Sequence, residues 1–333
     1  MKCLICNSTA IDDLYIHNGY QIVRCAVCGF VFVHPTPTPA ELAYYYAHNY
    51  AVPLERDAGN PARHTARIAG LERWQPQRGR LLEIGASYGH SLVAARRRGW
   101  QVAGVELAPA AARYARERFG LAVFTADLLD APFADGSFDA AIMWHVLEHT
   151  YNPVAQLEQL GTLLRPGGVL GLRVPNAASF GARVAGRFWV WTSPPAHLWY
   201  FSPTTLPRLL RRCGFEVLEV TTLRGDGNNP YQHALIGLGG WLNDLRLRLA
   251  PTSQPSRAVR RTVGGCLLDA ADSRDAAPPG PAALRGAWLR LLSQAQPLTD
   301  GLARLTRPLI EPLERGGWGD ELVCYARRPT WMG

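Results

Sequence analysis

Short apolar runs alternate with amphipathic segments between residues 81 and 224. Five runs have the length of a buried strand: 81–85, 101–106, 121–125, 138–144 and 168–174. Three segments carry apolar residues at helical spacing: 89–98, 108–119 and 153–164. A helix at 206–212 and strands at 215–223 and 321–327 continue the pattern. Since near-continuous apolar strands that alternate with helices are typical of sheets covered on both faces, we predict an α/β fold with a mainly parallel sheet.

Changes in composition, and prolines and glycines that interrupt helices and strands, divide the 333 residues into five parts. We predict a ribbon at 1–34, a linker with capping helices at 35–80, the core at 81–224, a helical insertion or lid at 225–318, and a final strand with its tail at 319–333. The insertion carries leucine stripes flanked by arginines, and it either packs on the core or serves as a lid or membrane-surface helix. No apolar run approaches the roughly 20 residues of a spanning helix.

Four cysteines form two CxxC pairs near the start of the chain: Cys3, Cys6, Cys25 and Cys28. Two such turns supply a tetrahedral site of four thiolates, which suits Zn²⁺. Disulfides are the alternative, but the remaining cysteines are scattered and no secretory segment is apparent, so we expect a reduced, cytoplasmic chain. Four thiolates leave no open coordination position. We therefore predict a structural zinc ion.

A strand that runs into a glycine turn suggests a nucleotide site at Gly85. Gly85 and Gly89 allow the backbone to pass close to a ligand, and the next helix offers free N–H groups. The positions of a dinucleotide fingerprint read Gly85-x-Ser87-x-x-His90, which argues against NAD. Glu106, at the end of the second strand, is placed to accept hydrogen bonds from ribose hydroxyls, and Asp127 follows the third strand.

These motifs resemble class I S-adenosylmethionine (AdoMet)-dependent methyltransferases. Residues 83–89 resemble the first motif of that family, 105–107 the second, 126–128 the adenine contact, and 164–168 the turn before the fifth strand. Residues 138–149 are similar to the ubiquinone-pathway O-methyltransferases and to related methyltransferases that carry a zinc ribbon. The resemblance implies a Rossmann-like sheet of seven strands with the last strand antiparallel, here with an N-terminal zinc ribbon and a helical insertion before that strand.

The resemblance also implies a set of AdoMet contacts. They are Glu83, Gly85, Ala86, Ser87, Tyr88, Gly89, Glu106, Leu107, Asp127, Leu128, Trp144 and His145.

Three histidines are candidates for the base that deprotonates an alcohol acceptor, because the ordinary pKa of histidine suits that task. His145 and His149 are expected one helical turn apart beyond the fourth strand, and His197 lies in a loop after the fifth. Residues 145–149 also spell H-x-x-E-H, an inverted zinc-protease motif, but a strand end and Asn152-Pro153 contradict the long helix that such a protease needs. A divalent ion at Glu148 and His149 is a further alternative, although His145 replaces an acidic position of the relatives.

The net charge of +8 favours anionic partners without choosing among them. We expect a small-molecule, glycan or lipid-linked acceptor, with peripheral membrane-surface contact through 231–310. Nucleic acid is not expected, because residues 1–34 contain only Lys2 and Arg24 as fixed positive charges. An RNA methyltransferase and a non-catalytic AdoMet-binding interaction protein are the alternatives. The sequence does not predict the oligomeric state.

Overall fold

A computed structural model describes residues 1–48, 61–224 and 311–330, with isolated residues at 235, 237, 239–241, 299 and 306. The leucine stripes expected between 225 and 310 lie almost wholly outside the described residues, as do Cys266 and the tail at 331–333. No helix among the described residues is long and apolar enough to cross a membrane.

The core is one mixed sheet of seven strands. Its strands are β4 (Arg80–Ile84), β5 (Gln101–Val105), β6 (Ala122–Phe124), β7 (Phe138–Trp144), β8 (Leu164–Pro175), β10 (Glu216–Leu223) and β11 (Glu321–Arg327). Their order is β10-β11-β8-β7-β4-β5-β6. Strand β11 runs antiparallel to both of its neighbours, whereas the pairs from β8 to β6 are parallel. The predicted fold class is therefore confirmed.

Four of the helices fall where the apolar spacing predicts them. The helices are α1 (Pro39–His48), α2 (Pro61–Glu72), α3 (His90–Arg97), α4 (Pro109–Phe119), α5 (Pro153–Leu163), α6 (Phe180–Ala185) and α7 (Thr205–Arg212), and those predicted are α3, α4, α5 and α7. Buried Leu, Ile and Ala side chains from the sheet and these helices form two apolar clusters. Helix α4 begins at a proline and ends at Gly120 in the left-handed conformation, which explains its sharp boundaries.

The strand order places two loops side by side at the centre of the sheet. The chain moves from β4 outwards to β5 and β6 in one direction, and from β7 to β8 in the other. Ligands bind at such a reversal, beyond the carboxyl ends of the strands. Because β11 is antiparallel, its first residue, Glu321, lies opposite Pro175 at the same edge.

The N-terminal segment forms a second sheet, whose fourth strand comes from the segment that follows β8. Its own strands are β1 (Ile11–His17), β2 (Tyr20–Cys25) and β3 (Val31–Val33), and the fourth is β9 (Trp199–Tyr200). Phe30 and Phe201 pack here with ring centroids 5.4 Å apart, and both are fully buried. We predicted a ribbon bounded at residue 34, but its sheet and its core continue into the segment that follows β8.

Candidate active site

The acidic residue at the end of β5 is fixed against the turn that follows β4. Glu106 Oε2 accepts a hydrogen bond from the Ser87 N–H at 2.8 Å, and its Oε1 accepts from the Ala108 N–H at 2.8 Å. Each carboxylate oxygen has two acceptor sites, so one carboxylate can bond to backbone N–H groups and to the hydroxyls of a ribose. The two bonds hold the carboxylate in one orientation at the edge of the glycine turn.

Two glycines in the turn are required by its geometry. Gly85 has φ +67°, and a Cβ built there would lie 2.5 Å from Val146 Cγ2. Gly89 has φ +84°, and its Cβ would lie 2.6 Å from Leu121 Cδ1. Any other residue would suffer both backbone strain and a steric clash. The backbone here forms a close cradle of the kind that a nucleotide-like ligand uses.

Asp127 caps a short 3₁₀ helix and leaves one oxygen for a ligand. Its Oδ1 accepts hydrogen bonds from the Leu129 N–H at 2.9 Å and from Gln156 Nε2 at 2.7 Å. Leu128, an expected contact, is only 1% exposed because the cap turns it into the core, whereas the next residue, Leu129, is 47% exposed. Leu129 is therefore the apolar side chain available beside Asp127, and Leu107, 61% exposed, is its counterpart after β5.

The other expected cofactor residues lie on the central strands β4 and β7 or in the turn after β4. Glu83 and Ala86 are each 3% exposed, and Tyr88 packs edge-on against Tyr114. Trp144 is 9% exposed, and its buried Nε1 makes no hydrogen bond with any described residue. An acidic group for ribose, apolar side chains for adenine and a glycine cradle fit AdoMet. His145 and Trp144, at the end of β7, adjoin this cradle across the β4–β7 pair.

Beyond β7, a buried carboxylate faces two histidines. Glu148 is 1% exposed, and neither of its oxygens makes a hydrogen bond with a described residue. Its Oε1 lies 3.9 Å from His149 Nε2, and the rings of His149 and His197 are 4.6 Å apart. One ligand atom from each of the three residues lies within 4.8 Å of the others. The structure thus brings His197 and His149 together, with Glu148 as the acidic member of the group.

Backbone carbonyls fix how both histidines are turned. His149 Nδ1 bonds to the Ala196 carbonyl oxygen at 2.9 Å, and His197 Nδ1 bonds to the Trp191 carbonyl oxygen at 2.8 Å. A carbonyl can only accept, so each Nδ1 carries the proton and each Nε2 has a lone pair. Metal-binding histidines are oriented in this way.

The electrostatics of the group favour one set of protonation states. Burial lowers the pKa of His149, and it lowers the pKa of His197 to about 3. Burial alone would raise the pKa of the Glu148 carboxyl, but contact with His145 and attraction to its charge bring this pKa below its usual value. At neutral pH the group therefore holds a carboxylate and two neutral imidazoles, the forms in which these side chains bind metal.

His145 differs from the other two histidines. It is not one helical turn from His149, because it adopts φ +55° between β7 and a 3₁₀ helix at Leu147–His149. Its Nδ1 lies 3.4 Å from Glu148 Oε1 and its Nε2 lies 3.6 Å from Glu321 Oε1. Burial disfavours its charge, but attraction to these carboxylates raises the pKa of His145 to about 9. An imidazolium is a poor base, so the structure argues against that role for His145.

Three residues of the site were not predicted. Glu321 pairs with His145 and, through Oε2, with Arg173 Nε at 3.1 Å. Trp191 stacks between His145 and His197, at centroid distances of 5.8 Å and 5.7 Å. The antiparallel direction of the last strand could have identified Glu321, since it puts the start of that strand at the ligand edge. Trp191 belongs to an aromatic-rich stretch of the sequence that suggests a stacking loop, whereas nothing in the sequence pattern singles out Arg173.

The four N-terminal cysteines converge. The Sγ atoms of Cys3 and Cys28 are 3.5 Å apart, as are those of Cys6 and Cys25, and all four lie within 4.8 Å of one another. Disulfide sulfurs would be about 2.05 Å apart. Four thiolates around zinc, each with a Zn–S distance of about 2.3 Å, would be about 3.8 Å apart. The arrangement fits a four-thiolate zinc site.

Comparisons with known proteins point to one family. The family described as "Methyltransferase domain" matches residues 54–220. A ubiquinone biosynthesis O-methyltransferase of Cereibacter sphaeroides is 32% identical over 196 residues, which are 55% of this chain and 74% of the relative. O-methyltransferase resE of Aspergillus sclerotiorum is 32% identical over 159 residues, 43% of this chain and 57% of the relative. A crystal structure of a SAM-dependent methyltransferase from Archaeoglobus fulgidus is 14% identical, with TM-score 0.46, and covers 85% of this chain and 99% of that one.

Proposed function

This chain belongs to the AdoMet-dependent methyltransferases, and we propose that it methylates a hydroxyl oxygen of a small glycosidic or lipid-linked molecule. One observation carries the proposal: beside the cofactor cradle, one ligand atom from each of Glu148, His149 and His197 lies within 4.8 Å of the others, and Glu148 is buried. An alcohol must lose its proton as it attacks the methyl carbon, and this group of side chains suits that need. Curated relatives named as O-methyltransferases support oxygen as the nucleophile.

We propose that Glu148, His149 and His197 hold a divalent cation. A bound cation would act as a Lewis acid and lower the pKa of the acceptor hydroxyl. The chain's own contribution is orientation, since hydrogen bonds to the Ala196 and Trp191 carbonyls fix both imidazole rings through Nδ1. His145, whose Nδ1 lies 3.4 Å from Glu148 Oε1, supplies a positive charge that keeps this carboxylate ionised.

The acceptor class rests on the surface at the same edge of the sheet. Phe180 and Trp318 stack with centroids 6.0 Å apart, although they are 39% and 44% exposed. The Arg183 guanidinium lies over the Trp318 ring at 5.6 Å. Exposed aromatic rings beside a cation suit an amphiphilic acceptor with an anionic or sugar part. Contact with a membrane surface is part of this proposal.

We propose a structural zinc ion at the four cysteines. Three of them, Cys3, Cys25 and Cys28, are buried, and the thiolates would complete the coordination of the ion. The ion would then stabilise a small ribbon whose own apolar core is limited. It would take no part in methyl transfer.

The decisive experiment measures methyl transfer from labelled AdoMet to hydroxyl acceptors, including hydroxylated aromatic lipids, glycosides and ribosomal RNA. We expect transfer to a small hydroxyl compound, with S-adenosylhomocysteine formed in equal amount. Transfer to RNA alone would overturn the proposal.

A chelator that spares the ribbon zinc should abolish transfer. If it does not, and His149→Ala still lowers the rate by about 10²–10⁴-fold, the histidine acts as a base without a cation.

A further inference from the structure

The loop that carries His197 is paired with the ribbon on one side. Strand β3 pairs antiparallel with β9, with Phe32 opposite Trp199. The Val33 N–H donates a hydrogen bond to the Leu198 carbonyl oxygen at 2.9 Å. This bond extends the pairing to the residue that follows His197. A backbone ladder of this kind fixes the course of the loop without depending on its side chains.

A second contact comes from the turn between β1 and β2. Asn18 adopts φ +49° in that turn, and its Nδ2 donates to the Pro194 carbonyl oxygen at 3.4 Å. The ribbon therefore touches the loop at both of its ends, at Pro194 by a side chain and at Leu198 by the backbone.

The other side of the same loop bonds to the candidate active site. The Leu198 N–H donates to the Glu148 carbonyl oxygen at 2.9 Å, and the Ala196 carbonyl oxygen bonds to His149 Nδ1 at 2.9 Å. Residues 194–198 are thus held between the ribbon and the 3₁₀ helix that carries Glu148 and His149.

Aromatic packing stabilises the contact between the ribbon and the loop that carries His197. The Trp199 ring lies 6.2 Å from both Phe30 and Phe32, and all three side chains are at least 90% buried. Phe30 and Phe32 lie two and four residues after Cys28, so the second CxxC turn sets where these rings stand. Burial of the three rings against one another stabilises the contact, so we expect the ribbon and the loop to fold together.

We propose that the ribbon is the positioning element of the acceptor site, acting through Asn18 and Val33 on the loop that presents His197 and the Ala196 carbonyl. The inference rests on the proposed function only in taking this loop as part of an acceptor site. The coupling between the ribbon and residues 194–198 is a property of the fold. It predicts that damage to the cysteine site spreads to residues 194–201 and stops before the cofactor cradle, which Glu106 secures separately.

Hydrogen exchange with mass spectrometry tests the coupling in the full chain without any acceptor, so its outcome does not depend on methyl transfer. The variant is Cys25→Ser, and loss of bound zinc is checked by metal analysis. We expect amide exchange to rise at least tenfold in peptides covering 20–33 and 194–201. Exchange in the peptide covering 101–106 and the AdoMet affinity measured by calorimetry should stay within about twofold. The proposal would be overturned if the variant lost protection against exchange at 20–33 but kept it at 194–201. It would also be overturned if the variant kept protection in both peptides.

A milder pair of variants guards against general unfolding of Cys25→Ser. Asn18→Asp keeps a residue that tolerates positive φ but replaces the amide donor with a carboxylate that faces the Pro194 carbonyl. Asn7→Asp is the matched control, because Asn7 also has positive φ in the ribbon and its Oδ1 is only an acceptor, from Arg212. We expect faster exchange at 194–198 in Asn18→Asp and wild-type exchange in Asn7→Asp. Equal exchange in the two variants would contradict the role of Asn18.

Discussion

The Glu106 carboxylate accepts a hydrogen bond from the Ser87 N–H at 2.8 Å, so the residue expected to bind ribose also closes the turn expected to cradle AdoMet. Its second oxygen bonds to the Ala108 N–H at the start of α4. One side chain therefore ties together β4, β5 and the helix after β5. Ligand binding and local structure cannot be separated at this position.

Replacement of Glu106 should weaken cofactor binding. We expect Glu106→Ala to reduce the AdoMet affinity by about 1–3 kcal/mol, because hydrogen bonds to a charged acceptor are lost and the turn is loosened. Calorimetry measures the effect. Glu117→Ala, which removes an exposed carboxylate from α4, is the control and should bind AdoMet as the wild type does. Unchanged affinity in Glu106→Ala would place the ribose elsewhere.

The close approach of Gly85 to Val146 gives a second test. Gly85→Ala should lower the free energy of unfolding by about 1–3 kcal/mol, since the new Cβ would meet Val146 Cγ2 at 2.5 Å and φ is +67°. The double variant Gly85→Ala/Val146→Ala removes the clash but not the backbone strain. Denaturant unfolding of both variants, with Val146→Ala alone as reference, should show partial recovery. No recovery would mean that strain alone limits the position.

The sheet and the cofactor cradle follow from local sequence features. Strand-length apolar runs set β4 to β8, and Gly85 and Glu106 occupy positions that the strand order brings together. Which side chain after Asp127 points outwards could not be read from the sequence, because the carboxylate caps the Leu129 N–H and thereby buries Leu128. The grouping of Glu148 with His197 was not predictable either. It depends on the loop that carries His197, 49 residues after Glu148, and the position of that loop is set by pairing with β3.

Glu72 should account for part of the acid sensitivity of the fold. Although burial opposes ionisation, hydrogen bonds from Arg98, Arg78 and Trp100 lower the pKa of Glu72 to about 2. A carboxyl group whose pKa is lower in the folded state than in the unfolded state stabilises the fold at pH values above the unfolded-state pKa. This stabilisation is lost as the pH falls through the folded-state pKa. We expect Glu72→Gln to cost about 1–2 kcal/mol at pH 7, since both arginines are partly exposed.

The pH dependence of this difference is the measurement. The gap in unfolding free energy between wild type and Glu72→Gln should shrink as the pH falls from about 5 towards 2. The control is Glu117→Gln, whose exposed side chain should leave the stability and its pH dependence unchanged. A gap that stays constant with pH would show that Glu72 contributes by packing and not by charge.

The last prediction concerns the group of Glu148, His149 and His197. If these side chains hold a divalent cation, a chain with an intact ribbon should bind about two metal ions, one at each site. Glu148→Gln and His197→Gln should each lose one ion and keep the other, because a neutral amide is a weaker ligand than a carboxylate or an imidazole. Methyl transfer should fall at least 100-fold in both variants while the AdoMet affinity stays within about twofold, because Gly85, Glu106 and Asp127 of the cofactor cradle lie outside this group. His34→Ala, which replaces a histidine at the end of the ribbon, is the matched control for metal counting. The wild type could instead bind only one metal ion, with cysteine thiols that react with a thiol reagent only after chelation. The cysteines would then be the ligands of that ion, and the proposal of a cation at the acceptor site would be wrong.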